Sequence, residues 1–216
     1  MQLIDPKHQI ASLDVDTQNS FTPLCPTELP VPEGQTIAEE LNQQSKFAQY
    51  RIGSKDAHPP NPVWLTNEAY PTLSPVDGHP NADVRWPAHC IPGTFGFELI
   101  QGLPHPQDYD FFIWKGIEPD MHPYGACYHD IGEYMSTGLI EFLKTHGITT
   151  VIVGGLATDY CVKVTVLQLC HAGFKVILNL GACRGLAKDT TESAIQQMKQ
   201  AGALLIHSYR SLKQKR

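Results

Sequence analysis

The C-terminal half of this chain alternates short β-branched runs with amphipathic stretches, an order that few folds accept. Residues 149–153 (TTVIV), 175–180 (KVILNL) and 204–206 read as strands, while 160–171 and 190–200 place apolar side chains at helical spacing. Strands alternating with helices imply βαβ units and a parallel sheet covered on both faces. Upstream, residues 10–15 (IASLDV), 50–54 and 111–114 (FFIW) read as further strands, and 34–47 and 135–145 as helices. Residues 59–96 form a long segment rich in Pro, Gly, Asn and His with no regular period. A loop of that length in a compact domain is either functional or disordered, and its aromatic and histidine content favours the functional reading. With no repeat, low-complexity tract or linker, residues 1–216 read as one α/β domain.

Composition narrows the function classes. No run approaches the ~18–20 apolar residues needed to span a bilayer, and residues 1–10 lack the apolar core of a secretory signal. The expectation is a cytoplasmic protein without membrane contact. The net charge is −6, and the basic cluster at 210–216, with Lys213, Lys215 and Arg216, reads as a solvated end rather than a nucleic-acid patch. Six cysteines (Cys25, Cys90, Cys127, Cys161, Cys170 and Cys183) form no CxxC pair, so free thiols are expected.

In open parallel sheets, ligands bind beyond the carboxyl ends of the strands. Asp16, Asp56 with His58, Lys115 and the segment before Cys161 all follow predicted strands, so four polar groups converge on one edge. At Cys161 a strand ends in Gly154 and Gly155 and a helix is predicted to begin. A thiol there feels the positive end of the helix dipole, and free N–H groups nearby can stabilise an oxyanion. A packed core cysteine is the alternative. Asp16 is a candidate proton acceptor for such a thiol, although aspartate at a strand end is also a common turn residue. Lys115, beside both, would hold the carboxylate charged.

Asp56 and His58 stand two apart, which puts both side chains on one side of an extended segment. With His89, in Trp86-Pro87-Ala88-His89-Cys90, they offer two imidazoles and one carboxylate, a set suited to zinc, iron or manganese. Ten histidines make a bare DxH spacing unremarkable, and His79, His105, His122 and His129 read as surface-loop residues.

Together these segments resemble the nicotinamidase branch of the isochorismatase-like cysteine hydrolases. Asp16-Thr17-Gln18-Asn19-Ser20-Phe21 is similar to the family's DxQxxF opening, Asp56-Ala57-His58-Pro59 to its DxHP segment, and Trp86 to Cys90 to its WPxHC segment. Lys115-Gly116 resembles the lysine step, and Gly155 to Val162 the nucleophile segment. The resemblance implies a three-layer αβα sandwich with a mainly parallel sheet and a catalytic triad of Asp16, Lys115 and Cys161. It further implies an oxyanion hole from the N–H groups of Ala157 and Cys161, with a cis peptide before Ala157. Phe21 and Trp86 would flank the substrate ring, and Asp56, His58 and His89 would hold one divalent metal, zinc first, with iron or manganese as alternatives. The implied activity is hydrolysis of nicotinamide, and of pyrazinamide, to acid and ammonia within NAD salvage.

Some positions depart from the pattern. Ser20 stands where an acidic residue is common, and the stretch from Tyr124 to Tyr128 matches only loosely. The segment between His58 and Trp86 is long and leaves a fourth metal ligand open among Asn67, Glu68 and water. Rival readings are another small-amide hydrolase (N-carbamoyl, maleamate or ureidoacrylate type) and a non-catalytic pyridine- or metal-binding module. The paired metal segments disfavour the first and the complete triad the second. A redox pair with Cys170 is disfavoured by its nine-residue spacing from Cys161, about two and a half helical turns. The oligomeric state is left open, a homo-oligomer included.

Overall fold

The computed structural model describes residues 2–214; Lys215 and Arg216 of the basic tail lie outside the described residues. Six parallel strands form the central sheet in the order β4-β3-β2-β5-β6-β7. They are β2 (Ile10–Val15), β3 (Tyr50–Asp56), β4 (Phe111–Lys115), β5 (Thr150–Leu156), β6 (Lys175–Arg184) and β7 (Leu204–Ile206). A separate parallel pair joins β1 (Gln2–Ile4) to β8 (Leu212–Gln214), a pairing with no periodic signal in the sequence.

Side chains alternate across the pleat, so neighbouring residues of one strand enter different cores. Leu13, Val151, Val153, Val176 and Leu178 pack with Leu139 and Leu143 of α2 (Leu139–Thr145), Val166 and Leu169 of α3 (Lys163–His171), and Met198 of α4 (Lys188–Gln200). Ile10, Ile152 and Ile177 join Ile4, Ile206 and Leu212 in a second cluster. Leu41 of α1 (Ala38–Ser45) packs with Leu156 and Ala182 in a third. The expected αβα layering is thus present. Among the described residues no helix is long and apolar enough to cross a membrane.

Boundaries move where local chemistry overrides the period. The helix predicted from residue 34 opens as a 3-10 turn, Gly34–Ile37, and that predicted from 135 starts only after Gly138, whose φ is 87°. Strands β3 and β4 run on to include Asp56 and Lys115, which stand opposite each other in register. The long segment 59–96 is ordered around its own small core of Trp64, Val76, Ala82 and Trp86, with bridges pairing Leu65 to Trp86 and Pro75 to Val84.

Gly155 sits opposite Val15 with φ of 137°, and a Cβ there would lie 2.1 Å from the Val15 carbonyl oxygen. Both the backbone conformation and the space demand glycine. Gly155→Ala is expected to destabilise the protein by about 3 kcal/mol, read as a lowered urea midpoint. An unchanged midpoint would show that the β2–β5 contact is slack.

Candidate active site

Asp16 follows β2 with φ of 45° and is fully buried. Its Oδ1 accepts a hydrogen bond from Ser54 Oγ at 2.6 Å, and its backbone N–H donates to the same hydroxyl at 3.2 Å. Lys115, at the end of β4 and also fully buried, brings Nζ to 2.9 Å from Asp16 Oδ2. The same ammonium donates in a close contact to Asp56 Oδ1, donates to the Pro123 carbonyl at 3.2 Å, and lies 3.9 Å from Cys161 Sγ. One cation therefore bridges two carboxylates and a thiol.

Burial alone would neutralise Lys115, but Asp16 and Asp56 outweigh it and hold the ammonium well above its ordinary pKa. For Asp56, burial is likewise outweighed by Lys115 and then His58, which keep the carboxyl far below the usual range. Asp16 is shifted upward, because burial exceeds the opposing pull of Lys115 and Asp56 adds to it.

Cys161 lies in a π-helical turn, Thr158–Val162, that precedes α3, rather than at the start of an ordinary helix. The peptide between Leu156 and Ala157 is cis. Burial pushes the Cys161 thiol well above its ordinary pKa; Lys115 opposes this and the two carboxylates reinforce it. Burial thus works against the thiolate that the helix-end argument favours. The six cysteines are free, as expected. Asp159 fixes the turn by accepting hydrogen bonds from Leu186 N–H at 2.9 Å and Ala187 N–H at 3.3 Å, just before α4.

On the other side of Asp56 lies a histidine cluster. Ligand nitrogens of His58, His89 and His122 all fall within 4.8 Å of one another, a donor group able to hold a metal ion. The His58 Nδ1 faces the Gly116 carbonyl at 3.0 Å and the His89 Nδ1 faces the Pro87 carbonyl at 2.7 Å. Such contacts fix the tautomer and turn each Nε2 lone pair to a ligand. Gly116 permits the first contact, since a Cβ there would meet His58 Cε1 at 2.4 Å. Burial, then His58, lowers His89 to about 3, and burial sends His122 well below the ordinary imidazole range, so both are neutral donors at pH 7. Asp56 Oδ2 stands 3.6 Å from His58 Nε2, on the border between cluster and thiol.

His122 corrects the sequence reading: it is 3 % exposed, not a surface-loop residue. Asn67 and Glu68 are both exposed, and the Asn67 side chain accepts the N–H groups of Ala69 and Tyr70 within its own turn. Neither fills the fourth-ligand place.

A pocket joins the two halves of the site. Cys161, Ala157, Asp56, His89 and His122 all line it, with Phe21, Trp86, Tyr124 and Tyr160 as its aromatic lining. Its empty space, part of it open to solvent, is ≈ 350 Å³. Trp86 stacks near His122 (centroids 6.0 Å) and donates its Nε1–H to Tyr124 Oη at 3.2 Å, while Tyr124 donates to Asp83 at 2.7 Å. Of the nine residues singled out from sequence, Phe21, Asp56, Trp86, His89, Ala157 and Cys161 line this space; Lys115 and His58 lie beside Asp56, and Asp16 lies within 4.8 Å of it.

Two supports escaped the sequence reading. Gln18 clamps the backbone of Asp56, donating Nε2–H to its carbonyl and accepting its N–H, each at 2.8 Å. The acid missing at Ser20 is replaced from eight residues on: Ser20 Oγ donates to Glu28 in a close contact, and Cys90 N–H donates to Ser20 Oγ at 2.9 Å and Glu28 Oε2 at 3.2 Å. The His89 segment is thereby tied to the Asp16 segment.

A parallel αβα sheet with a thiol, two carboxylates and an ammonium at its carboxyl edge defines a class in which a buried cysteine meets a small ligand. Within that class the chain belongs to the isochorismatase-domain family, whose model matches residues 11–209. It is 36% identical to the nicotinamidase of Escherichia coli over 205 residues, covering 90% of this chain and 93% of that one. The structure of an Acinetobacter baumanii nicotinamidase/pyrazinamidase superposes with a TM-score of 0.85 at 31% identity, over 94% of this chain and 98% of that one. A pyrazinamidase from Pyrococcus horikoshii, solved in complex with zinc, gives a TM-score of 0.73 at 29% identity, over 92% and 98% of the two chains.

Proposed function

We propose that this enzyme hydrolyses nicotinamide to nicotinic acid and ammonia, with pyrazinamide as a second substrate, in the cytoplasm and in the service of NAD salvage. The observation that carries the reading is one pocket lined by both Cys161 and the imidazoles of His89 and His122. A flat ring bearing a carboxamide and a ring nitrogen has one group for the thiol and one for the imidazoles. Relatives that share most of the chain length and are nicotinamidases support the same reading.

In this reading Asp16 accepts the Cys161 thiol proton, and Sγ bonds to the carboxamide carbon as the C=O π electrons move to oxygen. The N–H groups of Ala157 and Cys161 bind that oxyanion. Collapse breaks the C–N bond, the nitrogen takes the proton from Asp16, and ammonia leaves a thioester. Water, deprotonated by Asp16, attacks the thioester, and the thiol is reprotonated as nicotinic acid departs. Lys115 stays charged throughout and balances the carboxylates. Phe21 and Trp86 hold the ring faces.

Asp56, His58 and His89 fit a divalent ion, zinc first, because both imidazoles are buried with their Nδ1 atoms facing carbonyls. When bound, such an ion supplies a Lewis-acid contact for the ring nitrogen. The test is ammonia release from nicotinamide and pyrazinamide by the purified, zinc-loaded protein, beside a chelated sample. Turnover of both amides, lost on chelation, is expected. Failure to turn over nicotinamide, with activity on an N-carbamoyl or maleamate substrate, would overturn the assignment.

A further inference from the structure

We infer that His122 is a direct ligand of the metal, a fourth protein donor beside Asp56, His58 and His89, so that the site presents three imidazoles to the ion. This rests on the metal reading proposed above and goes beyond it, because nothing in the sequence spacing marks His122.

The first support is position. The His122 ring lies parallel to His58 with centroids 5.0 Å apart and 5.8 Å from His89, and its ligand nitrogen shares the 4.8 Å cluster. Its backbone is pinned, since its N–H donates to the Asn81 carbonyl at 2.6 Å. The next residue, Pro123, accepts from Lys115. The segment carrying His122 is thus anchored on both sides of the site.

The second support is an unmet need. Neither His122 nitrogen has a hydrogen-bond partner among the described residues, although the ring is nearly inaccessible, and His58 Nε2 is likewise unpartnered. A buried imidazole held only for packing would be better replaced by an apolar ring, which leaves no polar atom unsatisfied. Trp64 shows what packing alone looks like here. It is fully buried, touches the rings of His58, His89 and His122, and satisfies its Nε1–H on the Met121 carbonyl at 2.9 Å. The indole buttresses three imidazoles whose free nitrogens face one another.

Three imidazoles with one carboxylate form a nitrogen-rich set that favours zinc or cobalt over manganese. The experiment strips the purified full-length protein with a chelator and titrates wild type, His122→Gln and His122→Phe with Zn²⁺ and Co²⁺. A competing chromophoric chelator reads affinity, and the visible spectrum of bound Co²⁺ reads the ligand field. Phenylalanine preserves the ring packing against Trp64 if the glutamine variant folds poorly. The expected result is one ion per chain in each protein, bound at least ~100-fold more weakly without His122 and with an altered cobalt spectrum. Equal affinity and an unchanged spectrum in a folded variant would overturn the inference while leaving the metal reading intact. A wild-type protein that takes up neither ion would overturn the metal reading and this inference with it.

Discussion

Cys161→Ala is expected to lower ammonia release from nicotinamide by about 10⁴-fold or more, while the protein still folds and still binds the ring. The side chain is small and nearly buried, so its loss leaves a void of one sulfur atom in the pocket wall. What disappears is the bond-forming atom, and no other group is placed to replace it: Lys115 Nζ is held by two carboxylates and a carbonyl. Single-turnover assays separate the two effects, because nicotinamide affinity should change little while no thioester accumulates. A variant retaining more than a few per cent of wild-type turnover would remove Cys161 from the nucleophile's role.

Lys115→Met carries the largest expected cost in stability. Deleting the ammonium strands two carboxylates whose side chains are 0% and 2% exposed, with no cation left between them. Removing one partner of a buried ion pair costs about 3–5 kcal/mol, and in a chain of this size that corresponds to a fall in Tm of roughly 6–20 °C. The pH dependence identifies the cause. In the wild type Lys115 pulls the carboxyls down; without it both folded-state pKa values rise, so the folded variant binds more protons than the folded wild type. The stability gap should therefore narrow as pH falls from 7 toward 5. A gap of constant size across that range would assign the loss to packing rather than stranded charge. Turnover should vanish at either pH.

The parts of this fold that can be read from sequence are those with a period. β5, β6, α3 and α4 announce themselves because β-branched runs and helical stripes bury one face each. Asp16, Asp56, Lys115 and Cys161 were legible as a group because strand ends in a parallel sheet share an edge, and the register then sets Asp56 opposite Lys115. His122 was not legible. It lies in an irregular segment between β4 and α2, has no fixed spacing to His58 or His89, and enters the cluster only once the chain has folded back on itself. The same holds for Glu28, whose carboxylate serves the Ser20 position from a turn eight residues away. Gln18 was visible as a motif position, but its double hydrogen bond to the Asp56 backbone spans 38 residues and leaves no local trace. The pairing of β1 with β8 joins the two ends of the chain and is equally silent.

The groups that would exchange protons hang from strand ends locked by register, whereas Trp86 and Tyr124 reach the pocket from segments between strands. Heritable change therefore falls unevenly on the two. A lineage starting from this chain can reshape the ring's surroundings by drift at Trp86 and Tyr124, one step at a time, so long as His89 and His122 on the same segments keep their places. The sheet edge, by contrast, offers no gradual route: it is kept whole or lost.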